Sequence, residues 1–175
     1  YSYSNVTNDD GIPSSAPFIP HAGTLDPRLD WTVGRRGIPY LDWGLHPGSI
    51  WIRDPLYGGP YSPKKNVHYK YQQESGQLVT SSGWTLGYNA NNTKLIRYAD
   101  VILQAAEAEV ELGNMEKARE YVNRIRKRAK LGNFVTLPNG QPAANYLVDE
   151  YTDSWGDQSF ARNAVRFERR PSRCC

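Results

Sequence analysis

The chain has 175 residues, of which 39% are hydrophobic and 22% are charged, and its formal net charge is +3. This length is sufficient for one domain with a real core, and the composition excludes a chain that is disordered throughout. No apolar run approaches the roughly 20 residues that span a bilayer, and no signal peptide is visible at Tyr1. We therefore expect a folded mature or internal piece of a larger protein.

Residues 1–93 predict long ordered loops. They contain nine of the twelve prolines, eleven of the fifteen glycines and thirteen of the 21 aromatic residues. Prolines at this density forbid long helices, glycines mark turns, and the aromatic content is too high for a disordered linker. Short strands are expected at residues 50–52 and in the alternating stretch 66–71. Loops of this length in a compact domain tend to be functional.

Two amphipathic helices are predicted over residues 94–131. Gly113-Asn114 separates them, where a helix C-cap favours a residue that tolerates left-handed backbone angles. The break is so short that the helices must fold back into an antiparallel hairpin of the tetratricopeptide type. The first apolar stripe consists of Tyr98, Val101, Ile102, Ala105, Ala108 and Leu112, and the second of Met115, Ala118, Val122, Ile125 and Ala129.

A loop over residues 132–157 and a helix over residues 158–170 are predicted to follow the hairpin. Phe160, Ala164 and Phe167 share one face of this helix, and Pro171 is expected to end it. Cys174 and Cys175 are the only cysteines. Adjacent cysteines are rarely a structural disulfide, and two thiols alone cannot complete a zinc site.

The positive charge is concentrated in the second half of the chain. Residues 114–130 hold seven Lys or Arg against two Glu. A basic face can bind phosphate or nucleic acid, but no recognition motif accompanies this one. We therefore favour a solvated last helical turn of Arg126, Lys127, Arg128 and Lys130 that complements the helix dipole, with Glu120 and Arg124 paired one turn apart.

Five segments follow one another in an order that is typical of a known family. They are residues 26–35, which begin Asp-Pro-Arg, and residues 63–66, 92–97, 97–108 and 164–170. The helix at 97–108 resembles the marker helix of the SusD/RagB family of nutrient-binding outer-membrane lipoproteins, and the Asp-Pro-Arg segment and residues 164–170 resemble two further motifs of that family. The resemblance covers residues 26–170.

The resemblance implies a mainly α fold. A tetratricopeptide-like helical hairpin would carry long ordered loops, rich in Pro, Gly and aromatic residues, packed on it, with few short strands. The whole chain is then expected to be part of a single SusD/RagB-type domain. Its parts would be a loop-rich segment 1–93, the hairpin 94–131, a loop 132–157, a helix 158–170 and an aberrant tail 171–175.

The resemblance also implies a function. Members capture a nutrient, usually a glycan or oligosaccharide, at the surface of the outer membrane for a SusC-like TonB-dependent transporter, without catalysis and without a cofactor. They normally carry a signal peptide, a lipidated cysteine and further helix pairs before this region. We expect the chain to be a fragment that would meet the membrane only through a lipid anchor absent from it, and that binds no nucleic acid.

Glycan-binding proteins present exposed aromatic rings to the apolar faces of sugars, beside amide, carboxylate or guanidinium partners. Loops held by a rigid scaffold are where such residues concentrate. The alternative role for each ring is to attach a loop to the helices. The candidate carbohydrate-binding residues, all in Pro/Gly loops, are Trp43, Trp51, Tyr57, Tyr61 and Trp84.

Other chemistries have weaker support in the sequence. A hydrolase needs two carboxylates that flank the scissile bond. We assign structural roles to the candidates Asp26, Asp30, Asp42 and Asp54. His21, His46 and His68 lie too far apart for a metal motif, and Asn8-Asp9-Asp10-Gly11 is only part of a calcium loop.

Two further functions stay open. The first is a tetratricopeptide-like scaffold that binds a peptide or a partner protein through its hairpin groove. The second is a carbohydrate-active enzyme. Tyr98 and Tyr121 flank the hairpin stripes, and we assign both to the core rather than to contacts with a partner.

Overall fold

The computed structural model describes residues 6, 9–81, 83, 84, 87–92 and 94–174, with side chains through Ser172. The chain divides into two compact units. The helical unit comprises Thr24–Leu29, Lys94–Phe134 and Asn145–Cys175, and the loop unit comprises Tyr1–Gly23, Asp30–Thr93 and Val135–Ala144. None of the described helices combines the length and the apolar character that a membrane span requires.

The prediction of a mainly α fold is confirmed. The described residues form six α-helices, a 3-10 helix at Ser49–Trp51 and one small antiparallel sheet. The helices are α1 (Arg28–Thr32), α2 (Pro55–Gly58), α3 (Lys70–Glu74), α4 (Tyr98–Glu111), α5 (Met115–Leu131) and α6 (Gln158–Cys174). The strands are β1 (Val33–Gly34) and β2 (Ser62–Pro63), with Val33 opposite Pro63 and Gly34 opposite Ser62.

The helical hairpin forms as predicted. Gly113 has a φ of 81°, and its N–H donates to the carbonyl of Val110 at 3.1 Å. The N–H of Asn114 donates to the carbonyl of Glu109 at 2.8 Å. These two bonds satisfy carbonyls at the end of α4 in the manner of a Schellman cap, which requires the left-handed conformation that glycine adopts without strain. Ala106 and Ala118 are fully buried in the core shared by α4, α5 and α6.

The predicted apolar face of α4 is largely wrong. The buried residues are Ala99, Ile102, Leu103, Ala106 and Val110, so that only Ile102 belongs to the predicted stripe. Tyr98, Val101 and Leu112 are instead 63%, 48% and 75% exposed. Apolar residues at helical spacing lie on two sides of α4. The side that is buried is the one that packs against α5 and α6. The assignment of Tyr98 to the core was therefore wrong, whereas Tyr121 is partly buried against the core.

The stripe predicted for α5 is confirmed in its centre. Ala118, Val122 and Ile125 are buried, while Met115 and Ala129 are half-buried. The expected pairing of Glu120 with Arg124 is replaced by other contacts. Glu120 pairs with Lys117 at 2.8 Å, and the guanidinium of Arg124 lies 5.5 Å from the centre of the Tyr98 ring.

The prediction that Pro171 ends the last helix is wrong, because α6 continues to Cys174. A proline in a helix removes its own N–H donor and crowds the carbonyl four residues before it, but its fixed φ is close to the helical value, so that the packing of the flanking turns can carry the helix past it. The buried face of α6 comprises Ala161, Ala164, Val165, Glu168 and Ser172. Phe160 is 49% exposed, so this face also differs from the predicted one.

Neither strand predicted in residues 1–93 forms. Ile50 and Trp51 lie in the 3-10 helix, and Lys70 and Tyr71 begin α3. The carboxylate of Asp42 accepts the backbone N–H groups of Lys70 and Tyr71 at 2.6 and 2.9 Å. Such bonds satisfy donors that are free at a helix start, so they favour a helical turn over an extended chain.

Candidate functional site

Polar side chains hold the loops of the loop unit in place. Only three of the 17 buried hydrophobic side chains of the described residues, Ile38, Leu78 and Val135, belong to this unit. Hydrogen bonds between buried polar groups hold this unit together in place of a larger apolar core. Buried polar groups must be hydrogen-bonded to be tolerated, and when they are, they fix the backbone that they contact.

Asp30 and Arg35 form the most deeply buried ion pair of the loop unit. Arg35 donates through Nε and Nη2 to the two carboxylate oxygens of Asp30 at 2.6 and 2.8 Å. The ammonium of Lys64 donates to the backbone carbonyls of Asp30 and Pro39 at 2.5 and 2.7 Å. Burial lowers the pKa of Lys64 to about 8, although the charge of Asp30 acts in the opposite direction. These side chains connect three separate stretches of loop.

His46 lies at the centre of an aromatic cluster. Its ring centroid is 5.6 Å from that of Tyr40 and 5.2 Å from that of Trp51. The N–H of Gly48 donates to its Nδ1 at 3.0 Å, so Nε2 carries the proton of the neutral ring and donates to the hydroxyl of Ser62 at 2.8 Å. Burial, together with the charge of Lys64, lowers the pKa of His46 to about 4. The imidazole is therefore neutral at physiological pH.

Gly34 permits the close packing of this cluster. A Cβ at this position would lie 2.5 Å from the Tyr40 ring and 3.0 Å from His46. Trp51 completes the cluster with an edge-to-face contact to Tyr40, 5.6 Å between centroids, while 46% of its surface stays exposed. Trp51 is thus both packed on one side and open to solvent on the other.

Trp43 has a more structural role than Trp51. Its Nε1 donates to the carbonyl of His68 at 3.0 Å, and its ring stands edge-to-face with the His68 ring at 5.6 Å. Only part of the ring is exposed. Of the five candidate binding residues, Trp43 best matches the alternative of a side chain that holds loops together.

Tyr57 and Trp84 are open to solvent. They are 95% and 89% exposed. Tyr57 lies in the short helix α2, whose first turn is capped by the carboxylate of Asp54, which accepts the N–H of Tyr57 at 3.2 Å. Trp84 follows Gly83 in a turn. Both rings can therefore receive a ligand without rearrangement.

Tyr61 lies beside a pocket of about 380 Å³ that belongs to the loop unit. The pocket is formed by the stretch Asp9–Pro13 with Ser49, Pro55, Leu56 and Pro60. Burial raises the pKa of the Tyr61 hydroxyl, and the charges of Asp9 and Asp10 raise it further, against that of Arg35. Tyr57 and Tyr61 directly follow the pocket-lining residues Leu56 and Pro60 in the chain. Trp51 packs on His46, and Trp43 contacts His68.

The four carboxylates considered for hydrolysis all hold structure. Asp30 pairs with Arg35, Asp42 caps α3 and Asp54 caps α2. Asp26 accepts the Nε and Nη2 groups of Arg28 at 2.8 and 2.6 Å in the helical unit. No group of three His, Cys, Asp or Glu side chains within the described ranges is placed to hold a metal ion.

Arg28 belongs to a buried charge cluster that joins distant segments of the helical unit. Its Nη1 donates to Glu168, whose other carboxylate oxygen accepts from Arg126 at 3.0 Å. Glu168 is fully buried, and Arg28 and Arg126 are 8% and 4% exposed. Burial would lower the pKa of Arg28, but its bonds to Asp26 and Glu168 outweigh this and raise it. The assignment of Arg126 to a solvated helical turn was therefore wrong.

Several exposed apolar side chains of the loop unit were not among the predicted site residues. They are Trp31, Leu56, Tyr69, Tyr71 and Tyr88. Tyr69 and Tyr71 lie 5.6 Å apart between centroids, and Leu56 is fully exposed at the pocket. The signal that could have found Leu56 is its place after Asp54-Pro55, where a capped turn points the next residues to solvent.

The comparisons with known proteins agree with the resemblance of the motifs. The family model described as the SusD family matches residues 3–171 of this chain. No curated protein matches the chain.

Proposed function

The chain belongs to the SusD family, and we propose that it binds a glycan through the exposed aromatic residues of its loop unit and delivers it to a SusC-like TonB-dependent transporter. Members of the family are nutrient-binding proteins, glycan binders among them, that act at the outer membrane; they are not enzymes. The chain's own ligand, its transporter partner and its position at the cell surface are part of the proposal.

One observation carries this proposal. Eight of the ten exposed aromatic side chains of the described residues lie in the loop unit, whose loops are joined by buried polar side chains such as Arg35, His46 and Lys64. An exposed ring on an ordered loop loses less conformational entropy when it binds than a ring on a mobile loop. The loop unit therefore offers preorganised platforms for the apolar faces of sugar rings. Trp51, Tyr57, Tyr61 and Trp84 are the proposed platforms, and Trp43 supports them.

The proposal is tested by glycan-array binding of the purified chain and of a Tyr57→Ala/Trp84→Ala variant. Aromatic stacking on each sugar is expected to be lost in the variant, and its affinity is expected to fall by about tenfold or more, equivalent to roughly 1.4 kcal/mol. Tyr98→Ala, which removes an exposed ring of the helical unit, is the matched control and should bind as the wild type does.

A second candidate function, a tetratricopeptide-like scaffold for proteins, has support from the exposed side of α4. Val101 and Leu112 lie there, 48% and 75% exposed. In the same array, a Val101→Glu/Leu112→Glu variant should retain glycan binding if the loop unit is the site. Loss of binding in this variant, with the Tyr57→Ala/Trp84→Ala variant unaffected, would contradict the proposal and favour a site on the helices.

A further inference from the structure

We infer that the pocket beside Tyr61 selects sugars that are neutral or carry an amino group, and that Asp9 and Asp10 reject glycans with carboxylate or sulfate groups. This inference rests on the proposed function, because it assumes that the loop unit binds a glycan. It adds the charge class of the ligand and the residues that determine it.

The pocket has the size and walls of a ligand site. Its volume of about 380 Å³ lies in the range of roughly 300–1,000 Å³ that is common for such sites. Its apolar lining is formed by Ile12, Pro13, Pro55, Leu56 and Pro60. The side chain of Leu56 is fully exposed, and Tyr57 follows it in the chain. An apolar lining with a few polar groups suits a sugar ring.

All the charge that lines the pocket is negative. Asp9 and Asp10 are the two charged side chains in its wall, and no Lys or Arg of the described residues lines it. Arg36 approaches from outside, but its Nη2 donates to the carbonyls of Ser14 and Ala16 at 2.8 and 2.6 Å. Its guanidinium also lies 5.1 Å from the centre of the Phe18 ring. The cation is therefore held by the loop at residues 14–18, and its charge partly offsets that of Asp9, whose pKa it lowers.

One carboxylate oxygen of Asp9 is a buried hydrogen-bond acceptor to which no described residue donates. The residue is 2% exposed, and its Oδ2 has no hydrogen-bond partner among the described residues. Gly48 leaves room for this oxygen, because a Cβ at position 48 would approach it to 2.6 Å. A buried carboxylate oxygen without a donor is costly in free energy. Burial raises the pKa of this carboxyl, while the charge of Arg36 opposes the rise. Because Asp9 lines the pocket, a cationic or donor group bound there would stabilise the ionised form.

The influence of the two carboxylates extends to the rim of the pocket. Beyond the effect of burial, both raise the pKa of the Tyr61 hydroxyl, while the charge of Arg35 lowers it. The same electrostatic effect raises the free energy of any second anion in this volume, because like charges repel more strongly where solvent is partly excluded. A uronic acid or a sulfated sugar would bring such an anion. The pocket consequently favours donors and disfavours acceptor-only ligands.

The test compares glycans of different charge on one array. The wild-type chain and an Asp9→Asn/Asp10→Asn variant are applied to neutral, amino-bearing, uronate-containing and sulfated oligosaccharides. We expect the wild type to bind the first two classes. In the variant, the ratio of anionic to neutral binding should rise by about tenfold or more, since each removed charge lowers the repulsion. Asp153→Asn, which removes an exposed carboxylate of the helical unit, should leave the ratio unchanged.

The outcomes distinguish a failure of the proposed function from a failure of this inference. A wild type that binds no glycan contradicts the proposed function and this inference together. Glycan binding with the same charge preference in the wild type and the variant overturns the inference alone. If the double variant does not fold by circular dichroism, a salt series on the wild type replaces it. Discrimination against anionic glycans must then weaken as salt rises, and a salt-independent preference overturns the inference.

Discussion

The helical unit and the loop unit achieve order by different means. Fourteen of the 17 buried hydrophobic side chains of the described residues lie in the helical unit, and three lie in the loop unit. Exposed aromatic side chains are distributed the other way, two against eight. The helical unit is stabilised by an apolar core and exposes few aromatic rings. The loop unit exposes most of the rings and is held together by hydrogen bonds and ion pairs between buried polar groups. The proposed function thus assigns stability and binding to different parts of the chain.

Two of the family motifs supply buried charges that hold the helical unit together. Asp26 and Arg28 come from the Asp-Pro-Arg segment, and Glu168 comes from the last motif, 140 residues after Arg28. All three meet in the buried charge cluster of the helical unit. A charge cluster of this kind requires every member, because one missing partner leaves the others buried and unpaired. These motif residues are therefore structural, and none of them contributes an exposed binding group.

The largest expected effect is at Glu168. Glu168→Gln removes the carboxylate that accepts from both Arg28 and Arg126, and leaves two buried guanidinium groups without their shared counter-ion. Loss of one partner of a buried ion pair typically costs roughly 3–5 kcal/mol. The free energy of unfolding, measured by urea denaturation with far-UV circular dichroism, should fall by this amount.

The matched control is Glu111→Gln. Glu111 pairs with Arg162 at 2.7 Å, but the two side chains are 51% and 30% exposed to solvent. Exposed ion pairs contribute little to stability, so this variant should unfold like the wild type. Equal destabilisation by the two substitutions would show that burial of the charge cluster does not distinguish the helical unit.

A smaller effect is expected at His46 in the loop unit. The pKa of the buried imidazole is lowered from 6.5 to about 4, so below pH 6.5 the unfolded chain takes up a proton that the folded chain does not. The stabilisation is fully present above pH 6.5 and is lost as the pH falls toward 4. Between pH 7 and pH 5 this amounts to about 2 kcal/mol.

The measurement is urea unfolding at both pH values, followed by tryptophan fluorescence, for the wild type and for His46→Gln. Glutamine has no titratable group, so the variant should lose about 2 kcal/mol less over this interval. Other groups titrate in both proteins and cancel in the difference. Parallel pH profiles would mean that the polar bonds of His46 are not part of what holds the loops.

The sequence was informative where structure is local. The hairpin, its glycine turn and the face of α5 follow from helical spacing and from one residue that tolerates a left-handed backbone. The face of α4 did not follow, because Tyr98 and Val101 satisfy the same spacing as Ala99 and Ile102. Only the contacts with other helices decide between them. Pro171 shows the same limit, since packing overrode a local signal.

The type of residue in the candidate site was predictable from the sequence, but the way in which the residues come together was not. Aromatic residues in Pro/Gly loops indicated platforms, and Tyr57 and Trp84 are indeed exposed. Their use by a ligand stays a prediction. The acidic pocket brings Asp9 together with Pro55 and Pro60, about fifty residues further along the chain. No local pattern records such a contact, and the single-domain organisation expected from the sequence also stays a prediction.

Hydrogen exchange measured by mass spectrometry, with and without the glycan that binds best on the array, tests the division between the two units most directly. The account predicts slower exchange on binding in peptides that contain Trp51, Tyr57 and Tyr61, and unchanged exchange in peptides from α4, α5 and α6. Protection confined to the helices, with the loop peptides unchanged, would contradict it.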